Sequence, residues 1–198
     1  MWLPTALKKI HQDKMEALDI QLTTEDIYDI NNSSVKDAII RLNGGQCTAE
    51  VVSEKGLLFT NHHCAYDLIS NHSTEENNLL EEGFFAEKLS EEIKNEDYTA
   101  SRLVRMEKVT GAIAPALDTL EGRKATRKLN QLSDSLVSEA TEGNEGYTAE
   151  VKAMYHDNEY YLTVYEQFKD IRLVGAPPKD IGKFGGDTDN WMWPRHTG

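Results

Sequence analysis

The stretch Gly56 to Tyr66, GLLFTNHHCAY, sets two histidines side by side and follows them with one of the chain's two cysteines. Three chemistries can use such a pair. His62 and His63 could hold a metal, with His72 or a nearby aspartate completing the set, and the chain would then be a metal-dependent hydrolase. Adjacent residues of a strand point to opposite faces, however, so neighbouring histidines rarely chelate one ion. Neither an HExxH run nor a paired-cysteine spacing supports a metal. The pair could also be satisfied in a turn with no chemical role. The third use is as general base in nucleophilic catalysis. An imidazole ordinarily titrates near ~6.5, which suits it to take a serine proton and return it to a leaving amine.

A second stretch with chemical content closes the chain. GDTDNWMWPRHTG places Asp187 and Asp189 beside Asn190, Trp191 and Trp193. A glycine-rich loop carrying indoles and an amide can bind a small polar ligand. It can equally be a surface loop whose tryptophans fold back onto a core.

The elements that must position these residues follow from periodicity. Residues 1 to about 40 read as helical, with Leu7, Ile10, Met15 and Leu18 at roughly helical spacing and TTED at Thr23–Asp26 as a helix start. TAEVVS and GLLFT then read as two short strands joined through Glu54-Lys55-Gly56, and NHSTEENN as a loop. SRLVRMEKVT reads as a strand. From Leu117 a helical face runs through Leu120, Leu129, Leu132, Leu136 and Ala140, ended by Gly143 and Gly146. YTAEVKAMY and YYLTVYEQF alternate around HDNE as a second hairpin. IRLVGAPP is a last strand, stopped by prolines that cannot donate to a sheet. The fold class is mainly β with helical additions. Cys47 and Cys64 flank the first hairpin 17 positions apart. A bridge between them, worth about 3 kcal/mol on a chain-entropy argument, and two buried free thiols both fit that placement.

Bulk composition narrows the partners. A formal net charge of -13, with no Lys/Arg run, argues against nucleic acid or an anionic membrane surface. No stretch approaches the roughly 18 apolar residues of a spanning helix. With 39% hydrophobic and 28% charged residues over 198 positions, the chain is globular and about one domain long.

CTAEVVSEKGLLFTNHHC resembles serine peptidases of the chymotrypsin type, which carry Thr-Ala-Ala-His-Cys at a strand end. There the cysteine is bonded to one just before the preceding hairpin, and the histidine abutting it is the base. The resemblance therefore implies a Cys47–Cys64 disulfide, His63 as general acid/base and His62 as a structural neighbour. MWLP, INNSSVKDAI, TNHHC and GGDTDNWMWPRHTG together resemble the S46 family over essentially the whole chain. That family comprises bacterial dipeptidyl-peptidases with a chymotrypsin-like double β-barrel and an inserted helical domain. Its members are several times longer, so residues 1–198 resemble the N-terminal portion of the peptidase domain, with the helical domain and the serine-bearing barrel absent.

The resemblance further implies that Asn190 and Trp191 hold the substrate's free α-amino group. Asn190 would offer its side-chain oxygen, and Trp191 a wall of the subsite with a cation–π component. The triad acid is expected just after WPRHTG, so Asp187 and Asp189 are not assigned that role. None of the serines present adjoins a glycine, as the nucleophile motif requires. The expected activity is release of dipeptides from oligopeptides with a free N-terminus, with no cofactor. The intact enzyme is expected to be a homodimer in the periplasm or on the cell surface of a Gram-negative bacterium, its signal peptide absent from this chain. These 198 residues alone are expected to be inactive. The rival reading is a noncatalytic module that binds peptide N-termini through Asn190 and Trp191.

Overall fold

The computed structural model describes residues 7–29 and 32–182. Asn190, Trp191 and the rest of the closing motif lie outside the described residues. Two compact units are formed, one from Met1–Ile39 with Ser101–Gln167 and the other from Ile40–Ala100 with Phe168–Gly198.

In the first unit α1 (Leu7–Ala17) is followed by the short α2 (Thr24–Ile27). Thr23 and Asp26 form a reciprocal cap. The Thr23 hydroxyl accepts from the Asp26 N–H at 3.1 Å, and the Asp26 carboxylate accepts from the Thr23 N–H at 2.8 Å. That backbone donation keeps the Asp26 carboxyl below its usual range. The unit's strands are β6 (Ala100–Lys108), β7 (Tyr147–Met154) and β8 (Glu159–Phe168), in the order β6-β8-β7. β7 and β8 are the expected antiparallel hairpin, in register from Tyr147↔Glu166 to Met154↔Glu159. Its turn carries Tyr155, His156 and Asp157 at positive φ. As the central strand, β8 buries Tyr160 to Tyr165 without interruption. Between β6 and β7 the chain makes α5 (Thr110–Leu117) and α6 (Gly122–Thr141). Of the helical run expected from Leu117, α6 carries Leu129, Leu132, Leu136 and Ala140, while Leu117 ends α5 and Leu120 lies between the two helices. The break falls at Asp118–Glu121, and Gly122, which follows it, takes a φ of +54° that disfavours residues with a Cβ.

The second unit contains β1 (Ile39–Leu42), β2 (Cys47–Val51) and β3 (Leu58–Phe59), in the order β3-β2-β1. β1 corrects the expectation of helix over the first forty residues. A turn of 3-10 helix at Val35–Ala38 gives way to Ile-Ile-Arg-Leu, whose β-branched pair suits a strand. Ile40 and Leu42, two apart, fall inward. β2 and β3 pair antiparallel through Glu50↔Phe59 and Val51↔Leu58. Their turn is closed by Val52 N–H to Leu57 O at 2.9 Å, with Gly56 at φ +80°. Ile40, Leu42, Ala49 and Ala100 form one buried cluster.

Among its described residues this unit also has α3 (His62–His72), α4 (Leu79–Glu82) and two small ladders, β4 (Phe84–Phe85) with β10 (Gly175–Ala176) and β5 (Ile93–Asn95) with β9 (Ile171–Leu173). Gly83 links α4 to β4 at φ +79°, where a Cβ would come 2.7 Å from Pro178 Cδ. Ile69 of α3 is 1% exposed and packs with Leu79, Leu173 and Ala176 as the second buried cluster. Two features escaped the sequence reading. α3 runs through residues placed at a strand end, because it has only Ala65, Leu68 and Ile69 as an inward stripe among polar neighbours. The β5 and β9 strands are three residues each, too short for an alternation to show.

Since Ile69 fills the junction of α3, α4 and β9, Ile69→Ala is expected to lower the unfolding free energy by about 2–5 kcal/mol and Ile69→Val by about 0.5–1.5 kcal/mol. Urea titrations of the two variants check this, and equal small effects would contradict the packing described.

Candidate active site

β2 begins with Cys47, and α3 carries Cys64 in its first turn. The hairpin returns the chain so that these ends meet, and the two cysteines, 17 positions apart in the sequence, form a disulfide with Cα atoms 5.9 Å apart. The residues between β3 and α3 are tied to the same strand a second time. The Thr60 hydroxyl donates to the Thr48 carbonyl at 2.8 Å. The helix then starts at His62, with the Cys64 N–H donating to the Asn61 carbonyl at 3.0 Å.

The histidine pair therefore lies on the first turn of a helix, and the strand geometry assumed from the sequence is corrected. Successive helical residues diverge by about 100° rather than 180°, which still sends the two rings to different surroundings. His62 is half-buried and meets Tyr66, four residues on, edge to face with ring centroids 6.0 Å apart. His63 is exposed. Its imidazole lies against the disulfide, with a ring nitrogen and both sulfurs all within 4.8 Å of one another. His63 thus has what a general base needs on its own side of the reaction, an accessible ring on a covalently pinned backbone.

Metal chemistry has little to work with here. Among the described residues, the group of potential ligands that comes together is Cys47, His63 and Cys64. Both its sulfurs are bonded to each other and have no thiolate to offer. His72 sits at the other end of α3, about two and a half turns or about 13 Å along the axis from His63. Its Nε2 lies 2.9 Å from Asn95 Oδ1. His62, His63 and His72 therefore share no site.

Sequence reasoning passed over Asn95, Thr60 and Thr48. Thr60 is the first residue of the TNHHC motif and its hydroxyl offered a signal. Asn95 sits in IKN between charged residues and offered none.

The Peptidase S46 profile matches residues 1–198, and the chain belongs to that family. It is 44% identical over 198 residues to the Asp/Glu-specific dipeptidyl-peptidase of Capnocytophaga gingivalis and 43% identical over 199 residues to Dipeptidyl-peptidase 7 of the same organism. All of this chain, but 28% of each relative, is covered. Its structure is similar to that of Porphyromonas endodontalis DPP11 in complex with substrate, with a TM-score of 0.88 and 41% identity, over all of this chain and 29% of that one. The same protein in complex with the dipeptide Arg-Asp gives a TM-score of 0.89.

A bridge closing 17 positions predicts that Cys47→Ser and Cys64→Ser each lower the unfolding free energy by about 3 kcal/mol. The double variant is expected to lose no more than either single one, because one bond is removed in all three cases. Urea unfolding of the three variants measures this, and additive losses would contradict a shared bond.

Proposed function

We propose that residues 1–198 are the N-terminal part of a serine dipeptidyl-peptidase that releases dipeptides from oligopeptide N-termini, with His63 as general acid/base. The observation that carries this reading is the exposed His63 imidazole held against the Cys47–Cys64 disulfide on the first turn of α3. It occurs in a chain of the S46 family, and relatives of that chain are named dipeptidyl-peptidases.

In this mechanism His63 takes the proton from a serine hydroxyl as the oxygen attacks the scissile carbonyl. It then gives that proton to the leaving amine, and repeats the exchange with water to release the dipeptide. The serine and the triad acid come from parts of the whole protein beyond these residues, and residues 1–198 alone carry no turnover. No cofactor is required, because base, nucleophile and oxyanion donors supply the electrostatics. Asn190 accepts a hydrogen bond from the substrate's α-ammonium, and Trp191 forms a wall beside it. The whole enzyme acts as a homodimer in the periplasm or at the cell surface of a Gram-negative bacterium, a setting in which a disulfide persists.

The test uses the full-length enzyme with fluorogenic dipeptidyl substrates bearing free or acetylated N-termini. His63→Ala is expected to lower kcat by at least about 10⁴-fold. Loss of a hydrogen bond to a charged amine makes Asn190→Ala lower kcat/KM by about 10- to 100-fold. Acetylated substrates are expected to be refractory. Turnover that survives His63→Ala would overturn the reading.

A further inference from the structure

At the far end of α3 from His63, the helix is held by a part-buried polar bond. Asn95 is 4% exposed, and its amide has one orientation that satisfies its surroundings. Its Nδ2 faces two backbone carbonyls, Ile171 O at 3.4 Å and Ile93 O at 3.5 Å. An amide nitrogen can only donate to these, so Oδ1 is the atom turned toward His72 Nε2 at 2.9 Å. His72 Nε2 must then carry the proton. The imidazole bears a proton there in this neutral tautomer and in the imidazolium alike, so the bond does not depend on the ring's charge.

The placement of this bond is informative. Asn95 pairs with Ile171 in the β5–β9 ladder, and His72 is the last residue of α3. The disulfide holds the first turn of the helix at one point, and one point fixes a position but not a direction. A helix pinned only at Cys64 can swing about that residue, carrying the Cα–Cβ bond of His63 with it. Ile69, packed against Leu79 and Leu173, limits the swing by contact, which is not directional. The His72–Asn95 bond is directional and acts at the full length of the lever. A swing of about 10° at the pinned end moves the tip of the His63 ring by about 1 Å, and misplacement of that size can cost about 10²-fold in rate.

We infer that His72 and Asn95 are positioning residues for the base: their part-buried hydrogen bond sets the direction of α3 and thereby aims the His63 imidazole at the nucleophile. This inference rests on the reading of His63 as general base. His72 itself transfers no proton to substrate, since its Nε2 proton is committed to Asn95.

The experiment compares wild type, His72→Leu, His72→Gln and His63→Ala in the full-length enzyme, each matched by circular dichroism for folded content. kcat, KM and the pH–rate profile are read on a free-amine dipeptidyl substrate. His72 is partly exposed, so leucine is accommodated while the donor is lost. His72→Leu is expected to lower kcat by about 10-fold or more with KM within about twofold, as aim rather than binding is lost. His72→Gln, which returns an N–H near the Nε2 position, is expected to restore kcat to within about threefold. The apparent pKa of the acid limb should stay where wild type has it in both variants, because His72 is not the titrating base. Unchanged kcat in His72→Leu would overturn the inference, as would an equal loss in leucine and glutamine variants or a moved acid limb. If His63→Ala itself turns over, the reading of the base fails, a result distinct from any of these.

Discussion

The disulfide between Cys47 and Cys64 joins the first residue of β2 to the first turn of α3, and the local structure is arranged around that tie. β3 is two residues long and meets β2 in two register pairs, and a hairpin that short has little stability of its own. Closing the 17-position loop covalently removes much of the chain entropy that would otherwise keep the two ends apart. The Thr60–Thr48 hydrogen bond lies within the same loop and repeats the constraint in weaker form. The outcome is that the backbone next to Cys64, which is His63, has a defined position although its side chain faces solvent.

Position and direction are supplied by different kinds of interaction. The covalent bond and the short ladder locate the helix start. The apolar contacts of Ile69 seat the helix against α4 and β9. The buried amide of Asn95 fixes the far end against β5 and β9. Burying an amide this fully is costly unless each of its groups is met, and Asn95 meets two carbonyls and one imidazole. The same bond removes His72 from any joint site with His62 and His63, so the histidines of one helix divide into three surroundings: a half-buried ring on Tyr66, an exposed ring on the disulfide, and a partly exposed ring that meets the buried Asn95.

The sequence was informative where a pattern ran long or where a residue type has few uses. The β7–β8 hairpin, β6 and the α6 face were legible because their periods persist over eight or more residues. The β2–β3 hairpin was legible because a turn with glycine separates two β-branched or aromatic runs. Cys47 and Cys64 were ambiguous on spacing alone, and the family resemblance pointed to the pairing that the structure contains. α3 was not legible, since three apolar positions among polar ones cannot be told from a strand end with a loop, and the chymotrypsin-type likeness drew attention to the strand before it. β1 was hidden by a beginning with helical spacing, whose helix ends at Ala17. Asn95 was invisible because its role depends on a pairing with Ile171, 76 positions away. Short elements whose partners lie far along the chain are where local reading fails.

The relatives named Asp/Glu-specific dipeptidyl-peptidase and Dipeptidyl-peptidase 7 are almost equally similar over these residues. On the proposed reading, what this segment contributes is the part of the site common to both, the base and its mounting. The most direct measurement on that claim is affinity labelling of the full-length enzyme with a chloromethyl ketone built on a dipeptide with a free N-terminus, followed by peptide mapping. Such a reagent alkylates the imidazole that shares a proton with the nucleophile. A single adduct on His63, absent when the N-terminus of the reagent is acetylated, is the result the account predicts. An adduct on His62 or His72 with His63 unmodified would contradict it.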